Sequence, residues 1–197
     1  VRYTTVAGCQ SPFSVMLSRK YYTISPSPEA ALALGITFAW NGEYDKAFGY
    51  LDEAANRVTD PRMKSQYLLQ IAQLRMEQEE PEKAALAARK AIMIDPHNGM
   101  AYYTLAQAYA AGRDALTGSA FDRKMVSLLV ADNLLEARRL MAGNPEEIRR
   151  INAFLAEYTH LFPTKAEISG IKNATPGTPY TFSYGWIRGT TVIRTTD

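Results

Sequence analysis

Two stretches of this chain copy each other at a fixed displacement, and such a period restricts the architecture more than any single motif does. Glu43-Tyr44-Asp45-Lys46-Ala47 reappears as Glu80-Pro81-Glu82-Lys83-Ala84, and the small residue Gly35 reappears as Ala72, both 37 positions on. Ala72 recurs as Ala106 after a further 34, and Asp60-Pro61 and Asp95-Pro96 close the first two units at a spacing of 35. Each unit reads as two helices. From Pro28, residues Ala31, Leu34 and Phe38 share one helical face, Asn41-Gly42 ends that helix, and Ala47, Leu51, Ala54 and Val58 mark the inner face of a second. The next unit repeats this with Leu68, Ile71 and Ala72, a break at Glu80-Pro81, then Ala84, Ala88, Ala91 and Ile94. A helix pair of this kind cannot bury its apolar stripe alone, so stacked neighbours must cover it.

A third unit starts near Gly99 with Tyr102, Leu105-Ala106 and Tyr109. The Ala expected at position 125 falls at Ala137, an insertion of about 12 residues that takes in a loop from Gly112 to Gly118. Asn144-Pro145-Glu146-Glu147 reads as a capped helix start, and Ile148, Ile151, Leu155, Tyr158 and Phe162 recur at helical spacing, as a helix capping the stack would. Beyond Phe162-Pro163-Thr164-Lys165 the texture changes. Ser169 to Thr178 is rich in Gly, Asn, Thr and Pro, and Tyr180, Phe182, Tyr184 and Trp186 then alternate with Thr181, Ser183 and Gly185 at the period of a strand. A turn at Arg188-Gly189 would return the chain through Thr190 to Thr195 as a hairpin. Two strands alone are marginal in water, so the aromatic face is expected to pack on the last helices.

Leu34-Gly35, Ala47, Leu51 and Ala54, then Ile71-Ala72, Ala84, Ala91 and Pro96, resemble the tetratricopeptide repeat family, with Arg75 standing where an aromatic is usual. The resemblance implies a mainly α fold: a TPR-like α-α superhelix of about three helix-pair repeats, the last expanded, with a capping helix and a C-terminal β-hairpin. The implied division is 1–26 as an N-terminal segment or remnant of an earlier repeat, 27–162 as the solenoid with its capping helix, and 163–197 as a β-rich appendage. Val130-Ala131-Asp132, Tyr158 with Phe162-Pro163-Thr164-Lys165, Gly185-Trp186-Ile187 and Thr190-Thr191-Val192 near Arg194 resemble a narrower group, the envelope-associated tetratricopeptide proteins of Bacteroides-like bacteria. That likeness implies the cell envelope, periplasmic or membrane-anchored after export.

Chemistry is sparse. Twenty-two Lys and Arg face 20 Asp and Glu, a formal net charge of +2, with no block of five or six like charges, so neither nucleic acid nor an anionic membrane is an expected partner. No apolar stretch approaches the ~20 residues of a bilayer span. Val6-Ala7-Gly8-Cys9 has the look of a bacterial lipoprotein cleavage box but lacks the preceding apolar run, and it reads as coincidence. One cysteine permits no intramolecular disulfide and none of the usual multi-cysteine zinc sites. His97 lies in an inter-repeat turn and His160 at the end of the capping helix. No spacing joins either of them to a nucleophile and a carboxylate. Glu77, Glu79, Glu80 and Glu82 around a helix break read as solvated, as do the pairs Arg123-Lys124, Arg138-Arg139 and Arg149-Arg150. No nucleotide, dinucleotide or zinc-protease motif is present, and neither catalytic machinery nor a cofactor is expected.

In the tetratricopeptide fold the first helix of each unit lines a concave groove. Counting from Pro28, Ser65 and Gly99, the resemblance places Leu32, Ile36, Leu69, Gln73, Tyr103 and Gln107 there. A groove of these six is mainly apolar with amide and phenol donors, suited to a protein or peptide segment with hydrophobic anchors, unless another part of the chain fills it. The expected function is a non-enzymatic protein-protein interaction or scaffolding module. The alternative is a docking or accessory domain of a larger envelope enzyme or transport assembly.

Overall fold

The structure, a computed structural model, describes residues 12–115 and 117–196. The Val6-Ala7-Gly8-Cys9 stretch lies outside them. The chain is mainly helical, with a small antiparallel sheet at its C-terminal end. Helix α1 spans Pro12–Ile24, α2 Pro28–Trp40, α3 Tyr44–Arg57, α4 Pro61–Glu77, α5 Pro81–Ile94, α6 Gly99–Ala115, α7 Ala120–Leu140, α8 Pro145–Thr159 and α9 Lys165–Ile168, followed by strands β1 Pro179–Tyr184 and β2 Ile187–Val192.

Local sequence accounts for most helix starts. Proline occupies the first turn of α2, α4, α5 and α8, where its missing N–H would be unpaired in any case. Ser27, Asp60 and Asn144 accept from the backbone N–H of Ala30, Met63 and Glu147. Reciprocal capping boxes open α7, through Ser119 and Asp122, and α9, through Thr164 and Glu167. Two expectations are corrected here. Asp60-Pro61 opens α4 instead of closing the first unit, one turn before Ser65, whereas Asp95 caps the end of α5. Thr164-Lys165 starts a further short helix.

Consecutive helices form tightly joined pairs. α2 packs on α3, α4 on α5 and α6 on α7; α5 also packs on α6, and α4 touches both α3 and α6. Loops of three residues, 41–43 and 78–80, leave the first two pairs only an antiparallel arrangement. Gly35 sits where helices come closest. A Cβ there would lie 2.8 Å from Leu51 Cγ and 3.1 Å from the Ala47 carbonyl oxygen. The equivalent Ala72 and Ala106 are fully buried. In α5, Ala84, Ala85, Ala87, Ala88 and Ala91 are all buried between α4 and α6, and side chains this small let three helices crowd together.

The third pair is expanded by lengthened helices more than by a loop. α2 and α4 end five residues past Gly35 and Ala72, whereas α6 ends nine past Ala106. α3 and α5 begin ten residues before Ala54 and Ala91, whereas α7 begins 17 before Ala137. Gly112 therefore lies inside α6, where the sequence suggested a loop. These added turns form the platform for the C-terminal hairpin. Gly112 faces Trp186 and Ile187, with the latter's Cδ1 2.9 Å from where a Cβ would be. Phe121 meets Tyr180 edge to face at 5.9 Å, Tyr109 lies 6.1 Å from Trp186, and Leu129 abuts Gly189.

The hairpin turn is at Gly185-Trp186, not at Arg188-Gly189. Tyr184 pairs with Ile187, and Arg188 and Gly189 sit inside β2 opposite Ser183 and Phe182. Gly185 adopts φ 58°, at the first central position of a two-residue loop, which is where a type II′ turn needs glycine. The aromatic side faces inward as expected, with Phe182 and Tyr184 buried and Tyr180 and Trp186 half-buried. Asp132 on α7 fastens the returning strand, accepting from the Thr191 hydroxyl and from Arg194, both at 2.5 Å. Arg194 also donates to the Leu128 carbonyl and lies over the Phe162 ring. Lys124 pairs with Glu167, tying α9 to α7.

Candidate functional site: the face of the first helices

The six expected groove residues are distributed as Leu32 and Ile36 on α2, Leu69 and Gln73 on α4, and Tyr103 and Gln107 on α6, and all six are half-buried. Leu32, Ile36 and Tyr103 rest against the main apolar core. α4 and α6 touch directly, so Leu69 and Gln73 stand on the helix next to Tyr103 and Gln107. α2 joins them through Leu74 of α4, which packs against the cluster of Leu34, Phe38 and Ala47.

Sequence reasoning missed three residues in or beside these helices. Phe154 of α8 meets Tyr103 edge to face at 6.0 Å and Tyr158 at 5.3 Å, so α8 partly covers the third helix pair with part of this same chain. Its signal was the helical spacing to Tyr158, at i+4. Gln70, which follows Leu69, keeps a buried side-chain oxygen with no protein donor, and the hydroxyl of Thr104, which follows Tyr103, is likewise buried without a protein partner. Burial raises the Tyr103 hydroxyl above its usual pKa, and Glu147 adds to this while Arg150 opposes it, so the phenol stays a neutral donor through the physiological range. The face thus offers apolar anchors, two amides and a phenol, without a charged group at any of the six positions.

The histidines belong elsewhere. His97 lines an open cleft of about 430 Å³ with Pro61, Arg62, Ile94 and Asp95, and its backbone N–H donates to Asp95. His160 ends α8, its Nδ1 3.3 Å from the Ala156 carbonyl. Glu80 is held by Arg75 and Lys83, which keep its carboxyl below the usual range, with Lys83 the larger influence. Among the described residues, no group of three His, Cys, Asp or Glu is arranged to hold a metal ion, and no helix is long and apolar enough to cross a membrane. No protein-family model matches the chain, and no curated protein matches it.

Proposed function

We propose that the chain is a tetratricopeptide-like superhelix acting as a non-enzymatic interaction module of the cell envelope, and that the face of α2, α4 and α6 receives a protein or peptide segment. The supporting observation is that Leu32, Ile36, Leu69, Gln73, Tyr103 and Gln107 are all partly open, although they flank the fully buried Gly35, Ala72 and Ala106 register. Leu32, Ile36 and Tyr103 rest against the core on one side and keep part of their surface open on the other. A half-buried row of aliphatic, amide and phenol groups binds a segment through hydrophobic anchors, while amide contacts set its orientation.

Selection of a displayed random-peptide library against the full chain tests this. Enriched peptides should share two or more large apolar anchors; Leu69→Arg should weaken binding about tenfold or more, roughly 1.4 kcal/mol, without lowering the melting temperature, whereas Tyr103→Ala should weaken it as much and also lower the melt, because its ring rests on Phe154 and the core. Peptides that bind both variants equally would remove the groove from consideration. Tight, steeply salt-dependent binding of a random oligonucleotide would overturn the protein-partner reading altogether.

A further inference from the structure

Helix α1 packs on α2 with one side only. Ser18 shares a hydrogen bond of 3.0 Å with Thr37, Arg19 lies over the Phe38 ring, and Tyr22 donates to Glu53 and meets Tyr50 edge to face. The opposite side carries Phe13, Met16, Leu17, Tyr21 and Ile24, between 52% and 72% exposed. With Lys20 they form one stripe at helical spacing, and α1 has no acidic residue. α3 and α5, by contrast, are covered on two sides, by α2 and α4 and by α4 and α6. A stripe of this size on a single helix is near the upper limit of what a monomer leaves in water.

We infer that this stripe is a homodimer contact, in which α1 of one copy packs antiparallel on α1 of a second. Like every stripe at this helical spacing, its positions are symmetric about a point, here between Ser18 and Arg19, so an antiparallel pairing with a second copy can be isologous. A two-fold axis there sets Phe13 against the partner's Ile24, Met16 against the partner's Tyr21, and Leu17 against the partner's Lys20. Isologous contacts require this self-matching. Lys20 then lays its methylene stem over Leu17 of the other copy, and the two ammonium groups leave towards opposite edges, where water reaches them. With 52% to 72% of each residue exposed, the five apolar residues can bury at most about 600 Å² per copy, roughly 1,200 Å² for the pair, which is the bottom of the range for specific interfaces. A reversible dimer is therefore the expected state, and it uses none of the groove residues.

Sedimentation of the full chain from about 1 to 100 µM should show a concentration-dependent monomer–dimer equilibrium. Leu17→Lys sets like charges together and should abolish the dimer. Leu17→Glu faces the partner's Lys20 and should retain it at low salt, with the dimer weakening as salt is added. Leu17 is exposed, so at concentrations where the wild type is monomeric both variants should melt with it, and hydrogen exchange across 13–24 should slow as concentration rises in the wild type and, at low salt, in Leu17→Glu, but not in Leu17→Lys. A chain that stays monomeric at the top of this range overturns the inference. So does a dimer lost equally in both variants, or unaffected by either, and so does a monomer that instead co-sediments with phosphatidylcholine–phosphatidylglycerol vesicles.

Discussion

Arg75 occupies a position that is aromatic in the other two pairs, Phe38 and Tyr109, and its guanidinium stacks on the Phe48 ring at 3.3 Å while pairing with Glu80. A planar cation thus supplies the flat contact that a ring supplies elsewhere, and Lys, which lacks the plane, would not. Glu79 shows the converse case of a residue unsuited to its backbone. It takes φ 56° at the end of α4, the place Gly42 takes with φ 76° at the end of α2, 37 residues earlier. Left-handed backbone costs a residue with a Cβ about 1 kcal/mol or more, so Glu79→Gly should stabilise the chain by about 1 kcal/mol and Gly42→Ala should destabilise it by a similar amount, read from denaturant midpoints. Gly35→Leu should cost about 1–3 kcal/mol by driving α2 off Ala47 and Leu51, and an unchanged melt would contradict that contact. The Gly35 contact was legible because a small residue recurs at the repeat spacing. The partners of Arg75 were not, because no periodicity says which ring a mid-helix arginine reaches.

At the scale of elements, the two-helix units, their caps and the alternating strand follow from local patterns in the sequence. Their boundaries shifted wherever two local signals competed. Arg188-Gly189 can turn a chain, but Gly185 followed by Trp186 leaves Tyr184 and Ile187 paired with their side chains inward, and burial of the aromatic face decides the register. The expansion of the third pair was read as an insertion, but whether it added loop or helix depended on tertiary contact, since Gly112 is helical and lies under Trp186. Gly112→Val should therefore lift the hairpin and cost about 1–3 kcal/mol, with a blue or red shift of Trp186 emission as the local readout. The join between α1 and α3 depends on pH. Tyr22 is the main influence holding the Glu53 carboxyl below its ordinary range, and Arg57 also contributes. A carboxyl depressed in the folded state contributes stability that is present above its unfolded pKa and is lost as pH falls through the folded value. Acidification below the usual glutamate range should lower the melting temperature, and Glu53→Gln should flatten that part of the profile.

In the whole molecule, most helix contacts join neighbours along the chain, and stacked helix pairs leave apolar faces at their ends to be covered. The hairpin covers the third pair, where Phe182, Tyr184 and Ile187 are buried against the lengthened helices. Deleting 179–197 should therefore lower the melting temperature and expose dye-binding apolar surface. Equal melts and no new dye binding would show the aromatic strand to be dispensable to the fold. That a β segment would pack back on the helices was evident from its aromatic alternation. The place where it docks was not, because Asp132 meets Thr191 and Arg194 across 59 and 62 residues of sequence. That separation also bears on the order of events in folding. Contacts between adjacent helices close short loops, whereas the Asp132 clasp spans about sixty residues and is expected to form after the transition state. Arg194→Met should leave the refolding limb of a chevron plot unchanged and raise the unfolding rate several-fold, so the Asp132–Arg194 contact acts chiefly on the lifetime of the native state.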